Sequence, residues 1–352
     1  MEAHKTVTRS VDNLVHNNVD TGADRAIAEA AELIRNGEVV AFPTETVYGL
    51  GGDATSDEAI RRIFEAKGRP ADNPLIVHVA SIEDAARWTL TLPKTAKDLM
   101  AAFWPGPLTI VLPHNGTLSG AVTAGLPTVG LRMPDHPVAL RLIEASGRPL
   151  AAPSGNRSGR PSPTEAAHVE EDLNGRIPMI LDGGPAGVGL ESTVVEVTDG
   201  QVTVLRPGGV TLEALREVAE HVAIDPSLLK SDEAPRSPGM KYTHYAPDVP
   251  LYLVEGELAA LKQAIRKAKE DGLLTGAIIV NEWAGLTGAH QEVSVGSETD
   301  LAAVGRELYR ALRQFKTGEV DMLLVCTFPE TELGGAIMNR LEKASGGKKA
   351  RL

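Results

Sequence analysis

VVAFPTETVYGLGGD, residues 39–53, decides how the first half of the chain is read. Val39, Val40, Ala41 and Phe42 are four consecutive apolar residues, the pattern of a strand covered on both faces. Pro43 lacks the N–H a ladder needs and ends the strand. A hydroxyl-rich turn, Thr44–Tyr48, follows, and Gly49, Gly51 and Gly52 read as a flexible stretch where backbone passes close by. Two readings compete. One is a plain tight turn. The other is a strand that ends in chemistry, with Thr46 aimed at a ligand.

The neighbouring stretches give an α/β context. DRAIAEAAELIRNG is a helix with Ile27, Ala30, Ala31 and Ile34 at helical spacing, and Gly37 suits the left-handed position after it. TSDEAIRRIFEAKG is a second helix, with Thr55 and Glu58 as a capping box and Ile60, Ile63 and Phe64 as its buried stripe. Strands are expected at PLIVHVA, LTIVL, TVGLRM, PLAAPS, IPMILD, STVVEV and QVTVLR. Helices and strands mix without strict alternation, so residues 20–225 read as one α/β domain with a large twisted mixed sheet. Residues 226–250 carry prolines at 226, 235, 238, 247 and 250 and read as an extended linker. From 251 to 345, strand and helix alternate strictly (LYLVEG, ELAALKQAIRKAKEDG, GAIIV, DLAAVGRELYRALRQFKTGEV, DMLLVCTF, GGAIMNRLEKAS). That alternation predicts a small Rossmann-like parallel sheet flanked by helices.

Composition narrows the function. The chain has 352 residues, 42% hydrophobic and 23% charged, as in ordinary globular proteins. No apolar run is long enough for a membrane span, and the first 20 residues lack the apolar core of a secretory signal. A single cysteine, Cys326, excludes a disulfide framework and a cysteine-rich zinc site; the expected location is the cytoplasm. Net charge is −12, and residues 251–352 hold 13 Lys+Arg against 14 Asp+Glu, which leaves −11 for residues 1–250. Such a balance repels nucleic acid, so any anionic ligand is a small one gripped by a few placed cations.

Familiar signatures fail. No phosphate-binding G-x-x-x-x-G-K-[ST] loop and no H-E-x-x-H occur, GLGGDA does not directly follow a strand, and Ser154 in APSGN lacks the glycines of a nucleophile elbow. What remains is dispersed over strand ends. Lys67 and Arg69 flank Gly68: either they complement a helix C-terminus, or the turn points both at a polyphosphate. Asn73 precedes Pro74 and is therefore extended. His78 sits within a strand, where a structural role is the plainer reading. Arg132 interrupts an apolar strand, a costly position without a partner or ligand. Ser154, Asn156, Ser158 and Ser162 lie in a Gly/Pro-rich loop that either turns or presents hydroxyls and N–H groups to phosphate. LDGGPAGVGLESTVVEV reads as a strand–loop–strand cradle opening on Ser192, and Arg206 ends the next strand.

In combination these blocks resemble a known family. FPTETVYGLGGDA, KGRPADNPLIVH, FWPGPLTIVL, VGLRMPDHP, APSGNRSGRPSPT, DGGPAGVGLESTVV and LRPGG stand in the order of a YrdC-like domain, and SPGMKYTHYAP at 237–247 is similar to the linker of its long two-domain form. The chain resembles the L-threonylcarbamoyl-adenylate synthase family. The resemblance implies a nucleotidyltransferase that joins L-threonine, bicarbonate and ATP into threonylcarbamoyl-AMP and releases pyrophosphate. The product goes to a tRNA threonylcarbamoyl transferase for threonylcarbamoyl-adenosine modification next to the anticodon. Mg2+ is expected to arrive with ATP rather than on a protein metal site. Carried over by motif, Lys67 and Arg69 are the catalytic cations. Lys67, Arg69, Asn73, Ser154, Asn156, Ser162 and Arg206 hold ATP. Thr46, His78, Arg132 and Ser192 hold L-threonine, and Thr128 and the backbone of Ala152 lie where the ligands meet. Tyr245, with Tyr242 as second choice, reaches the nucleotide from the linker.

Two alternatives stand beside this reading. One is a carbamoyl-transfer enzyme in which a YrdC-like domain is a single module, disfavoured by the lone cysteine. The other is a non-catalytic RNA-binding module, disfavoured by the −11 balance.

Overall fold

The structure, a computed structural model, describes residues 5–11, 21–228 and 244–350. The chain forms two compact units. The first comprises residues 1–158, 163–187 and 191–241, and the second residues 159–162, 188–190 and 242–352. Tyr242 and most of the proline-rich segment lie outside the described residues. Among the described residues, no helix is long and apolar enough to cross a membrane.

The first unit is built on an eleven-stranded mixed sheet. Its strands are β1 (Val7–Ser10), β2 (Val40–Phe42), β3 (Gly49–Asp53), β4 (Ile76–His78), β5 (Leu108–Pro113), β6 (Thr128–Arg132), β7 (Leu150–Ala151), β8 (Met179–Asp182), β9 (Thr193–Thr198), β10 (Gln201–Arg206) and β11 (Val222–Ile224). Their order across the sheet is β1-β8-β2-β3-β7-β4-β6-β5-β9-β10-β11. The apolar run at 40–42 is a fully buried strand, as read from its sequence.

The glycines after it are a correction. Gly49–Asp53 is not a flexible turn but a buried strand, antiparallel to β2. Its glycines are there for packing: a Cβ on Gly51 would stand 2.5 Å from the Phe42 ring, and one on Gly49 3.4 Å from Ala152. Glycine lets β3 lie close under an aromatic side chain that its strand partner supplies.

Helix α1 (Thr21–Arg35) and helix α2 (Asp57–Lys67) follow the predicted stripes, with Ile60 and Ile63 fully buried. The cap of α2 differs from expectation. Ser56, not Thr55, accepts the N–H of Ala59, while Thr55 donates to Asp53 Oδ1 at 2.7 Å. Gly68 at φ 62° closes the helix, so Lys67 leaves in the last helical turn.

Alternation along the strands separates the two faces of the sheet. Val77, Ile110, Leu112, Val129, Leu131, Ala151 and Val195 belong to the main core. Their neighbours Ile76, His78, Thr109, Thr128, Gly130, Arg132 and Ala152 therefore point to the other face. The register confirms the match, setting His78 beside Arg132 and Ile76 beside Gly130.

The second unit carries four parallel strands, β12 (Leu251–Val254), β13 (Thr275–Ile279), β14 (Gln291–Ser294) and β15 (Met322–Cys326), ordered β12-β15-β13-β14. Helices α3 (Leu258–Glu270), α4 (Leu301–Gln314) and α5 (Gly334–Ser345) connect or follow them. The small parallel sheet with flanking helices is as read, but the alternation is broken once: β14, concealed by its polar QEVS composition, follows β13 with only a short 3-10 turn between them. Cys326 is buried at the end of β15, where burial pushes its thiol up to about 12.

Candidate active site

Three groups of polar side chains stand on the first unit. In the first, Pro43 turns the chain out of β2, and the Thr44 hydroxyl donates to the Val47 carbonyl at 2.6 Å, closing the turn. That fixes Thr46, fully buried, with its Oγ1 2.9 Å from Thr44 Oγ1. Arg132 enters from β6. Its Nη1 donates to Thr46 Oγ1 at 2.9 Å and its Nε to the Gly106 carbonyl at 3.2 Å. Its Nη2 lies 2.6 Å from Glu45 Oε1, off the line of a hydrogen bond. The cation that interrupts an apolar strand is thus paired, as burial requires. His78, beside it in the register, is fully buried. Burial first, and then the Arg132 charge, depress its imidazole to about 3, so it is neutral at ordinary pH. Its Nδ1 has no aligned hydrogen-bond partner among the described residues.

The second group ties Ser192 to Arg206. Arg206 Nη2 donates to the Ser192 carbonyl at 2.9 Å and to its hydroxyl at 3.2 Å, and Nε also reaches the carbonyl at 3.2 Å. The Ser192 hydroxyl shares a 2.8 Å bond with Thr109 of β5. Gly208 closes this corner: a Cβ there would lie 2.2 Å from the Glu191 carbonyl oxygen and 2.4 Å from Ser192 C and Thr193 N.

The third group gathers around Lys67. Its ammonium donates to the carbonyls of Ser154 and Asn156 and stands 3.4 Å from Asn156 Oδ1, which accepts the Ser154 hydroxyl at 2.6 Å. The loop holding Ser154 is pinned against β3, with the Gly155 N–H on the Tyr48 carbonyl at 2.7 Å. Arg69 bends back so that Nη2 reaches the Asn73 and Pro74 carbonyls at 3.5 and 3.3 Å. Asn73 is buried, and its Oδ1 has no hydrogen-bond partner among the described residues. Ala152 is buried, its N–H on the Ile76 carbonyl at 2.9 Å.

The expected residues of the first unit thus gather into these groups, with Thr128 on the same β6 face as Arg132. Ser162 and Tyr245 belong to the second unit. There, Tyr245 takes a left-handed backbone (φ 65°), stacks 5.4 Å from Tyr309, and has the Arg340 guanidinium 5.7 Å from its ring centre. The 183–192 loop joins β8 to β9. It runs strand–loop–strand as read, but the two strands are not neighbours: it crosses from β8 to β9 on the far side of the sheet centre, and the Tyr48 hydroxyl anchors its start by donating to the Gly184 carbonyl at 2.7 Å. The residues left without a role were Thr109, Glu45 and His136. Thr109 had a visible signal, a lone hydroxyl within LTIVL.

Residues 32–208 match the Sua5_yciO_yrdC family model, described as telomere recombination, and residues 210–346 match one described as threonylcarbamoyl-AMP synthase, C-terminal domain. A Bacillus subtilis protein named threonylcarbamoyl-AMP synthase is 51% identical over 92% of this chain and 94% of its own length. The chain belongs to the threonylcarbamoyl-AMP synthase family. A second member, from Pyrococcus abyssi, is 47% identical over 90% of this chain and 93% of its own. A crystal structure of Pyrococcus abyssi Sua5 complexed with L-threonine matches at a TM-score of 0.90 and 42% identity, covering 99% of both chains. The two-domain form of the family is therefore the one present here. The Escherichia coli protein YciO shares the fold over 60% of this chain, at a TM-score of 0.52.

Proposed function

We propose that this chain condenses L-threonine, bicarbonate and ATP into threonylcarbamoyl-AMP and pyrophosphate. The threonine amine attacks the carbon of bicarbonate, expelling water and leaving a carbamate. A carbamate oxygen then attacks the α-phosphorus of ATP, and the bond to pyrophosphate breaks. Neither step needs a protein nucleophile; both need alignment and charge neutralisation. The buried cations Lys67, Arg132 and Arg206, each bonded to backbone carbonyls, with hydroxyls beside them, support that reading.

Lys67 and Arg69, with Asn73, Ser154, Asn156 and Arg206, are assigned to the triphosphate and nucleotide. Thr46, His78, Arg132 and Ser192 are assigned to threonine, and Thr128 and Ala152 to the seam between the ligands. The same reading assigns Ser162 and Tyr245 to the nucleotide on their motifs alone. A neutral His78 suits an amino-acid site, since it adds no charge beside Arg132. Charge-assisted hydrogen bonds contribute about 1.5–3 kcal/mol each, so three or four of them suffice for micromolar-class nucleotide binding.

Mg2+ would come on the nucleotide's own oxygens. Among the described residues no group of three His, Cys, Asp or Glu could hold a metal, and the donors around Lys67 suit phosphate oxygens rather than a hard cation. When bound, the ion neutralises triphosphate charge. The product would pass, in the cytoplasm, to a transferase that modifies tRNA next to the anticodon. Residues 226–250 would link a 20–225 domain to a 251–345 domain.

The observation that carries this reading is the buried Thr46–Arg132 pair standing beside His78, in a chain that matches a protein bearing the synthase name over 94% of that protein's length. Pyrophosphate release tests it. Release should require ATP, L-threonine and bicarbonate together; release undiminished without threonine would refute the assignment.

A further inference from the structure

Glu45 lies between two residues of the threonine site yet has no part in the reading above. Its side chain is 11% exposed, and neither carboxylate oxygen has an aligned hydrogen-bond donor among the described residues. A carboxylate so placed is costly unless donors are supplied. Its close cation is Arg132, whose Nη1 and Nε are engaged by Thr46 and Gly106 but whose Nη2, 2.6 Å from Glu45, also lacks an aligned bond. The adjoining 135–136 segment offers no second cation. Burial and the Glu45 charge hold the Asp135 carboxyl above its usual range, while His136 is kept neutral by burial, with Nδ1 accepting the Val138 N–H.

One negative and one positive group therefore stand side by side, each with bonding capacity unfilled. Their complement is a zwitterion, with a carboxylate on Arg132 Nη2 and an ammonium on Glu45. We infer that Glu45 binds the α-ammonium group of the substrate amino acid while Arg132 takes its α-carboxylate. The inference rests on the proposed assignment of this corner to L-threonine. It makes Glu45 a determinant of specificity: an α-amino acid satisfies both partners, whereas an α-hydroxy acid gives Glu45 no cationic donor beyond Arg132.

Calorimetric titration of the full chain with L-threonine, and with its α-hydroxy analogue in which a hydroxyl replaces the amine, tests this without turnover. Glu45→Gln should weaken threonine about 10- to 100-fold, the value of a lost charge-assisted bond, and leave the analogue unchanged. Glu45→Asp, which keeps the charge, should recover part of the loss. On the unaltered chain, whatever the folding of the variants, the analogue should bind at least about ten-fold more weakly than threonine. Equal weakening of both ligands by Glu45→Gln, or equal binding of both to the unaltered chain, would overturn the inference while leaving the threonine site standing. No threonine binding to the unaltered chain would overturn both.

Discussion

Replacing Lys67 by methionine asks how much the third polar group depends on one ammonium. The side chain is 3% exposed, and its Nζ donates to two backbone carbonyls, Ser154 and Asn156, in the loop pinned against β3. Methionine fills similar volume but donates nothing. Each orphaned carbonyl costs about 1–3 kcal/mol. Against that, the variant no longer buries an ammonium, which returns about 2 kcal/mol of the roughly 4 kcal/mol lost over the two carbonyls. The net is a loss of about 2 kcal/mol, with the fold retained because Ile60, Ile63 and Phe64, which dock the same helix on the main core, are untouched. With a urea slope of about 2 kcal/mol/M, the unfolding midpoint should fall by roughly 1 M. ATP affinity should fall by about ten-fold or more in the same protein, as one charge-assisted contact to phosphate is lost. Urea unfolding followed by circular dichroism and calorimetric ATP titration measure the two effects. An unchanged midpoint with unchanged ATP affinity would show that Lys67 neither ties the loop nor faces the nucleotide.

Two further outcomes follow from the geometry. Gly208→Ala forces a Cβ to 2.2 Å from a backbone oxygen and 2.4 Å from two backbone atoms beside Ser192, none of which is the end of a flexible side chain. It should cost about 1–3 kcal/mol and raise the threonine KM, whereas Gly120→Ala, with open space around it, should be silent; equal behaviour of the two variants would contradict the packing account. His136 is depressed by burial to about 4 and His78 to about 3, against an ordinary 6.5. The unfolded chain thus binds protons that the folded chain refuses between about 4 and 6.5. Their stabilising contribution is fully present above 6.5 and is lost as pH falls, by roughly 1.4 kcal/mol per pH unit for each residue. His136→Asn keeps a helix cap but removes the titration, so the slope of stability between about pH 6.5 and pH 5 should drop by about one proton; an identical slope would refute the burial argument.

How much of this was legible beforehand depended on whether the deciding contacts were local. The parallel sheet of the second unit and the helices with Ile60 and Ile63 on one side are written in periodicity, and both appear as read. The β3 strand was not legible, because its glycines are explained by the Phe42 ring across the ladder rather than by their own neighbours. The cap fell on Ser56 rather than Thr55 because Asp53 claims the Thr55 hydroxyl. β11 and β14 are short or half-polar strands whose partners, not their residues, make them strands. Within the site, Arg132 announced itself as a charge in an apolar run. Glu45 did not, since an acid in a turn looks solvated until Arg132 is seen beside it.

If the proposed reaction is right, one carbon atom from bicarbonate ends up joining threonine to AMP. Isotopically labelled bicarbonate, supplied with ATP and L-threonine and followed by mass spectrometry of the quenched mixture, tests it most directly. Label should appear in a species containing both threonine and AMP, in step with pyrophosphate; pyrophosphate without a labelled threonine–AMP adduct would contradict the account.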